Sequence, residues 1–164
     1  MVSVLLVAAL TLPQAWAEAT GEEAFIPAYS KAYVPDRDPV ADGKQALQFA
    51  KRTNRRVLIE AGGNWCDYCK ALDRFIAENP NVEDVLHERF VVLKVNVSDK
   101  NENEAFMSAL PETFGYPHFF IAENDGTVIY SDDTTGLLES GKYSTVRFID
   151  FLRKWGTSAS TGEL

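Results

Sequence analysis

The six residues Trp65-Cys66-Asp67-Tyr68-Cys69-Lys70 constrain this chain more than any other feature. They hold both of its cysteines, directly behind a short apolar run, Arg56 to Ala61 (RVLIEA), and a Gly62-Gly63-Asn64 break. The run reads as a strand and the glycines end it. Beyond the break, Ala71, Leu72, Phe75 and Ile76 recur at helical spacing as far as Ala77. A C-x-x-C pair serves zinc sites, haem attachment and redox motifs alike. Haem attachment needs a His after the second cysteine, where this chain has Lys70. A tetrahedral zinc site needs two further ligands, for which only His87 and His118 are on offer. Cysteines at the first turn of a helix face unpaired N–H groups and the positive end of the helix dipole, which stabilise a thiolate. Cys66, the first and more exposed, is therefore the expected nucleophile, and Cys69, one turn inside, is placed to resolve a mixed disulfide. A purely structural bridge would restrain almost no chain entropy over so short a loop.

Composition narrows the rest. At 164 residues the chain is expected to form one domain. A domain of this size buries about 68–70% of its unfolded surface and needs no disulfide scaffold. The formal charge of −8 argues against nucleic acid as a partner, because phosphate binding needs a basic face. Five bases without an acid (Lys44, Lys51, Arg52, Arg55, Arg56) lie between residues 43 and 56. They read either as the cationic end of a helix or as a docking patch for an acidic partner.

Residues 1–17 carry no charged side chain, and their apolar stretch, Val4 to Leu12, is shorter than the roughly 20 residues that span a bilayer. Ala15-Trp16-Ala17 follows as an A-x-A pattern, so residues 1–17 are expected to be a signal peptide cleaved after Ala17. This implies a periplasmic or secreted protein without stable membrane insertion, working where disulfides persist. Residues 18–38 read as an extended N-terminal arm, 39–156 as the folded domain and 157–164 as a flexible tail. Within the domain the pattern predicts a helix from Pro39 to Asn54, the strand and helix around the cysteines, and further helical turns at Val82–Leu86. Next come a strand at Phe90–Val97, a helix at Glu102–Leu110, and a hairpin of Pro117–Ala122 with Thr127–Ser131 about Glu123-Asn124-Asp125-Gly126. A closing amphipathic helix spans Tyr143–Trp155. Such alternation implies an α/β fold, a central sheet flanked by helices on both faces.

The segment VLIEAGGNWCDYCKALDRF resembles the active site of thioredoxin-fold proteins, in particular exported ones similar to the C-terminal domain of the DsbD reductase. The resemblance runs from about Asp42 to Trp155. It implies the thioredoxin fold, with a mixed sheet of four to five strands. Glu60 matches the family's buried acid, Lys94 the lysine beside that acid, and Tyr116-Pro117 the cis-proline that faces the disulfide. These matches imply that Glu60 manages the proton of Cys69, or else is a carboxylate held in a salt bridge with Lys94. They imply also that the backbone at Tyr116 and Pro117 pairs with a bound substrate strand, and that Trp65 flanks the cysteines as an apolar cover.

The dipeptide Asp67-Tyr68 departs from the family's usual pairs. A carboxylate beside Cys66 opposes its thiolate, so the pair is expected to be a weaker oxidant than DsbA-type proteins. The expected function is therefore an exported thiol–disulfide oxidoreductase reducing client disulfides, monomeric and needing no cofactor. A membrane-bound thiol reductase is implied as its electron donor. Two other readings stand beside it: a non-catalytic thioredoxin-fold binding module or chaperone, and metal delivery through Cys66, Cys69 and His118. The acidic loop Asp99–Glu104 and the segment Ser131–Lys142 look longer than a minimal fold requires.

Overall fold

Four apolar runs pair into a single sheet in a computed structural model that describes residues 26–157. The strands are β1 (Arg56–Gly62), β2 (Phe90–Asn96), β3 (His118–Ala122) and β4 (Val128–Asp133), in the order β2-β1-β3-β4. β1 and β2 run parallel, which demands a crossover. The helices α2 (Asp67–Glu78) and α3 (Pro80–Arg89) supply it. β3 and β4 are antiparallel neighbours, joined by the predicted turn at Glu123–Gly126. The sheet is the expected mixed one, with four strands.

Side chains alternate across a strand, so each strand feeds two cores. Leu58, Val92, Phe119 and Ile121 meet Leu72 of α2, Leu86 of α3, and Phe148 and Leu152 of α5 (Thr145–Trp155) on one face. Val57, Ile59, Val91, Leu93 and Phe120 meet Ala46 and Ala50 of α1 (Pro39–Arg52) on the other. Glu60 and Lys94 are register partners and share the α2/α3 face by parity. Two ionisable groups thus enter a layer that is otherwise apolar.

The basic run divides by role. Asp38 caps α1, accepting from the N–H groups of Val40 and Ala41, while Lys51 and Arg52 occupy its last turn, where cations suit the dipole. Arg55 donates to the His87 carbonyl, and Arg56 to Glu123 and the Trp155 carbonyl. Those two arginines tie elements together and are not a loose patch.

Several boundaries differ from the pattern. The helix expected at Glu102–Leu110 is only α4 (Glu104–Met107). Asn103 adopts a left-handed φ of 49° and bonds the Asn96 carbonyl, so it closes the end of β2 instead of continuing a helix. Ser131–Lys142 contains the end of β4, a 3-10 turn (Thr135–Leu137) and a small hairpin of β5 (Leu138–Glu139) and β6 (Lys142–Tyr143). Ser140 and Gly141, both at positive φ, form the two-residue turn of that hairpin. The arm is not simply extended. A 3-10 turn at Ala28–Ser30 buries Tyr29, and Ser30 Oγ donates to the Val92 carbonyl, covering the exposed edge of β2. Thr157 is no free end either: its carbonyl accepts from Arg89 and its hydroxyl donates to the Asn54 carbonyl. The expected signal peptide, residues 18–25 of the arm and 158–164 of the tail lie outside the described residues.

Candidate active site

The cysteines sit where β1 hands the chain to α2. Cys66 is the N-cap of α2, and its Sγ accepts the Cys69 N–H at 3.1 Å. The two are joined as a disulfide with Cα atoms 5.2 Å apart. Cys66 is 5% exposed and Cys69 0%, so an incoming sulfur reaches Cys66 first. A Cβ on Gly62 would stand 2.6 Å from Cys69 Sγ and 2.9 Å from the Tyr33 hydroxyl oxygen. Any side chain there would push the disulfide off the end of β1.

Glu60 of β1, 2% exposed, is linked to the cysteine cluster through Tyr33. Its Oε1 accepts from the Tyr33 hydroxyl and lies 3.4 Å from Lys94 Nζ, which also donates to Asp73 of α2. Burial pushes the Glu60 carboxyl above its ordinary value, with Lys94 and Tyr33 pulling against it. Burial lowers the Lys94 pKa, but Glu60 and Asp73 outweigh it and the net shift is upward. The Glu60–Lys94 bridge is formed inside the fold, at a carboxyl whose hold on a proton burial strengthens. A cavity of about 360 Å³ lined by Glu60, Lys94, Asp73 and His87 opens on this side.

The other side of the disulfide is open. Trp65 is 56% exposed; its indole N–H donates to the Val97 carbonyl and its ring meets Tyr116 edge-on at 5.7 Å. It is thus a half-exposed rim beside the cysteines rather than a full cover. The Tyr116–Pro117 bond is cis, and Tyr116 packs against the buried cysteine cluster. A groove of about 920 Å³ leads away from Trp65 and Tyr116, with Asp99, Glu102 and Glu104 on its walls. The long acidic loop thereby borders the approach to the site. Tyr68 is exposed, and the Asp67 side chain, 93% exposed, pairs with Lys70 at 3.1 Å. Solvent and Lys70 both weaken any repulsion from Asp67 on a Cys66 thiolate.

His118 is not gathered with the cysteines. It pairs in register with Ala61, stacks on Phe120 at 4.5 Å and has Nε2 2.9 Å from Ser131 Oγ. Among the described residues no group of three or more His, Cys, Asp and Glu side chains forms a metal site. Sequence reasoning missed Asp73, which pairs with Lys94, and also Tyr33. It falls in the arm, 27 residues before Glu60, and no local pattern marks it.

Comparison with known proteins agrees with this geometry. Residues 38–123 match a family described as thioredoxin-like. A crystal structure described as a disulphide isomerase from Xylella fastidiosa Temecula1 is 29% identical, with a TM-score of 0.65 over 74% of this chain and 94% of that one. The oxidised DsbD C-terminal domain of Neisseria meningitidis is 21% identical, with a TM-score of 0.55 over 72% of this chain and 96% of that one, a likeness of fold. The thiol:disulfide interchange protein DsbD of Salmonella typhi is 25% identical over 100 residues, 61% of this chain. The match spans only 17% of that relative's length.

Proposed function

This chain belongs to the thioredoxin-like family, and on that premise we propose that it is an exported thiol–disulfide oxidoreductase that reduces client protein disulfides. The observation that carries the reading is the Cys66–Cys69 disulfide at the first turn of α2, with the buried Glu60 carboxyl joined to its cluster through Tyr33. In the reduced state the helix N-terminus favours a Cys66 thiolate. That thiolate attacks one sulfur of a client disulfide, and the other client sulfur leaves as a thiolate, which takes a proton from solvent. Cys69 then gives up its proton and attacks Cys66 Sγ. The mixed disulfide breaks, the client departs fully reduced and the Cys66–Cys69 disulfide re-forms. Glu60 holds the proton that Cys69 releases. Trp65 and the Tyr116–Pro117 backbone receive the extended client segment, which continues along the neighbouring groove.

Reduction as the direction draws its support from the likeness to DsbD, with Asp67 a minor contributor given its exposure and its pairing with Lys70. A membrane-bound thiol reductase resets the disulfide, and residues 1–17 direct the monomeric protein to the periplasm. Insulin reduction tests the activity: the wild type is expected to turn over, and Cys66→Ser to lose turnover entirely. Equal activity in the two would leave only a binding module. A reduction potential close to the roughly −120 mV of DsbA would reverse the direction.

A further inference from the structure

Tyr33 precedes the segment that matches the family, yet it is buried in one cluster with Cys66 and Cys69. The fold holds it there by more than packing. The Asn64 side chain, in the loop leading to Cys66, donates to the Tyr33 carbonyl at 3.0 Å. Lys94 Nζ lies 4.7 Å from the centre of its ring. At the tip, the hydroxyl donates to Glu60 Oε1. The Tyr33 hydroxyl oxygen and Cys69 Sγ both border the space beside Gly62, 2.9 Å and 2.6 Å from where a Cβ on that glycine would stand. The hydroxyl thus bonds the carboxyl, on a side chain that packs in the same buried cluster as Cys69.

We infer that the Tyr33 hydroxyl is the relay through which the Cys69 proton reaches Glu60. The inference rests on the oxidoreductase reading and on Cys69 as the resolving thiol. In the resolving step Cys69 S–H passes its proton to the Tyr33 oxygen as the Tyr33 O–H proton moves to Glu60 Oε1. The Cys69 sulfur forms its bond to Cys66 Sγ, and the bond between Cys66 and the client breaks. The electron pair leaves on the client sulfur, which takes a proton from solvent. Tyr33 ends as it began, neutral. Burial first, and then Glu60, hold its phenol well above the ordinary value, so it does not store charge itself. The groups facing this path are Glu60 from β1, Lys94 from β2, Asp73 and Cys69 from α2, and Tyr143 from β6. The cavity under Glu60 and Asp73 gives the proton its way out.

The test is the pH profile of the resolving step, followed by stopped flow on the full chain loaded through Cys66 with a cysteine peptide. Tyr33→Phe keeps the ring and is expected to slow resolution about tenfold or more. It also moves the rising limb to higher pH, because Glu60 loses a donor that stabilises its carboxylate. The double variant Tyr33→Phe/Glu60→Gln is expected to be no slower than Glu60→Gln, since both act on one path. A merely structural tyrosine would lower the rate evenly across pH, and its effect would multiply with that of Glu60→Gln. Either result overturns the relay. Should Tyr33→Phe not fold, fluorotyrosine placed at position 33 keeps the shape and acidifies the hydroxyl. A resolving rate unchanged by that replacement also overturns the relay. A wild type that reduces no disulfide removes the oxidoreductase reading and the relay together, whereas an active wild type with an unmoved Tyr33→Phe profile removes the relay alone.

Discussion

On the Glu60 side of the disulfide the neighbours are buried and ionisable: Tyr33, Glu60 and Lys94 share one small region between the sheet and α2. On the Trp65 side they are exposed aromatics and carboxylates around an open groove. In the first region charge is expensive and every group is bonded to another, so a protonation change at one is felt by all. In the second region solvent screens charge and the side chains lie open to a partner. Under the proposed function the two regions serve different halves of one reaction, proton handling inside and client recognition outside.

Glu60→Gln should produce the largest difference between them, slowing disulfide exchange about 100-fold while leaving client affinity unchanged. It should also alter stability with a definite sign. The folded pKa of Glu60 is raised, so the folded state binds this proton more tightly than the unfolded one. The stability it contributes is fully present below the unfolded value, about pH 4.3, and is lost as pH rises through the folded value. Melting of the oxidised wild type against Glu60→Gln should show that decline in the wild type and a flatter curve in the variant. Parallel curves would mean that Glu60 titrates as an exposed carboxyl does.

Trp65→Ala addresses the open side. Losing one exposed aromatic anchor should raise KM for a disulfide peptide about tenfold with kcat little changed. A fall in kcat alone would move Trp65 to the chemical half of the site. The smallest effect is expected from Asp67→Asn. Removing an exposed, paired charge should shift the reduction potential by under about 20 mV, toward the more oxidising value, because the Cys66 thiolate gains stability. Equilibration with glutathione measures it, and a much larger shift would show that Asp67 acts on Cys66 despite solvent and Lys70.

The elements near the cysteines were legible because their signals are local. Apolar β1, the glycine break and the periodic face of α2 follow one another within about 20 residues, a length over which strand and helix periods can be told apart. A helix was legible at α4, but its shortness was not. Phe106, Met107 and Leu110 keep an apolar face, but the turn that starts the helix depends on Asn103 reaching back to Asn96. The hairpin at 138–143 carried a signal in Ser140-Gly141, a dipeptide that accepts positive φ.

By itself the sequence determined the order of the main strands and helices and the cysteine pair at a helix start, and its family resemblance implied, at Glu60, Lys94 and Pro117, the kind of site to expect. Which residues surround Glu60 was decided by the tertiary structure. Tyr33 and Asp73 come from opposite sides of β1 in the chain, and they converge on the Glu60–Lys94 pair only because the arm folds over the β2 edge and α2 turns that face inward. Periodicity says which way a residue faces along its own element. Contacts between distant segments depend on sheet order and on how helices are rotated against it, and no local pattern carries that information.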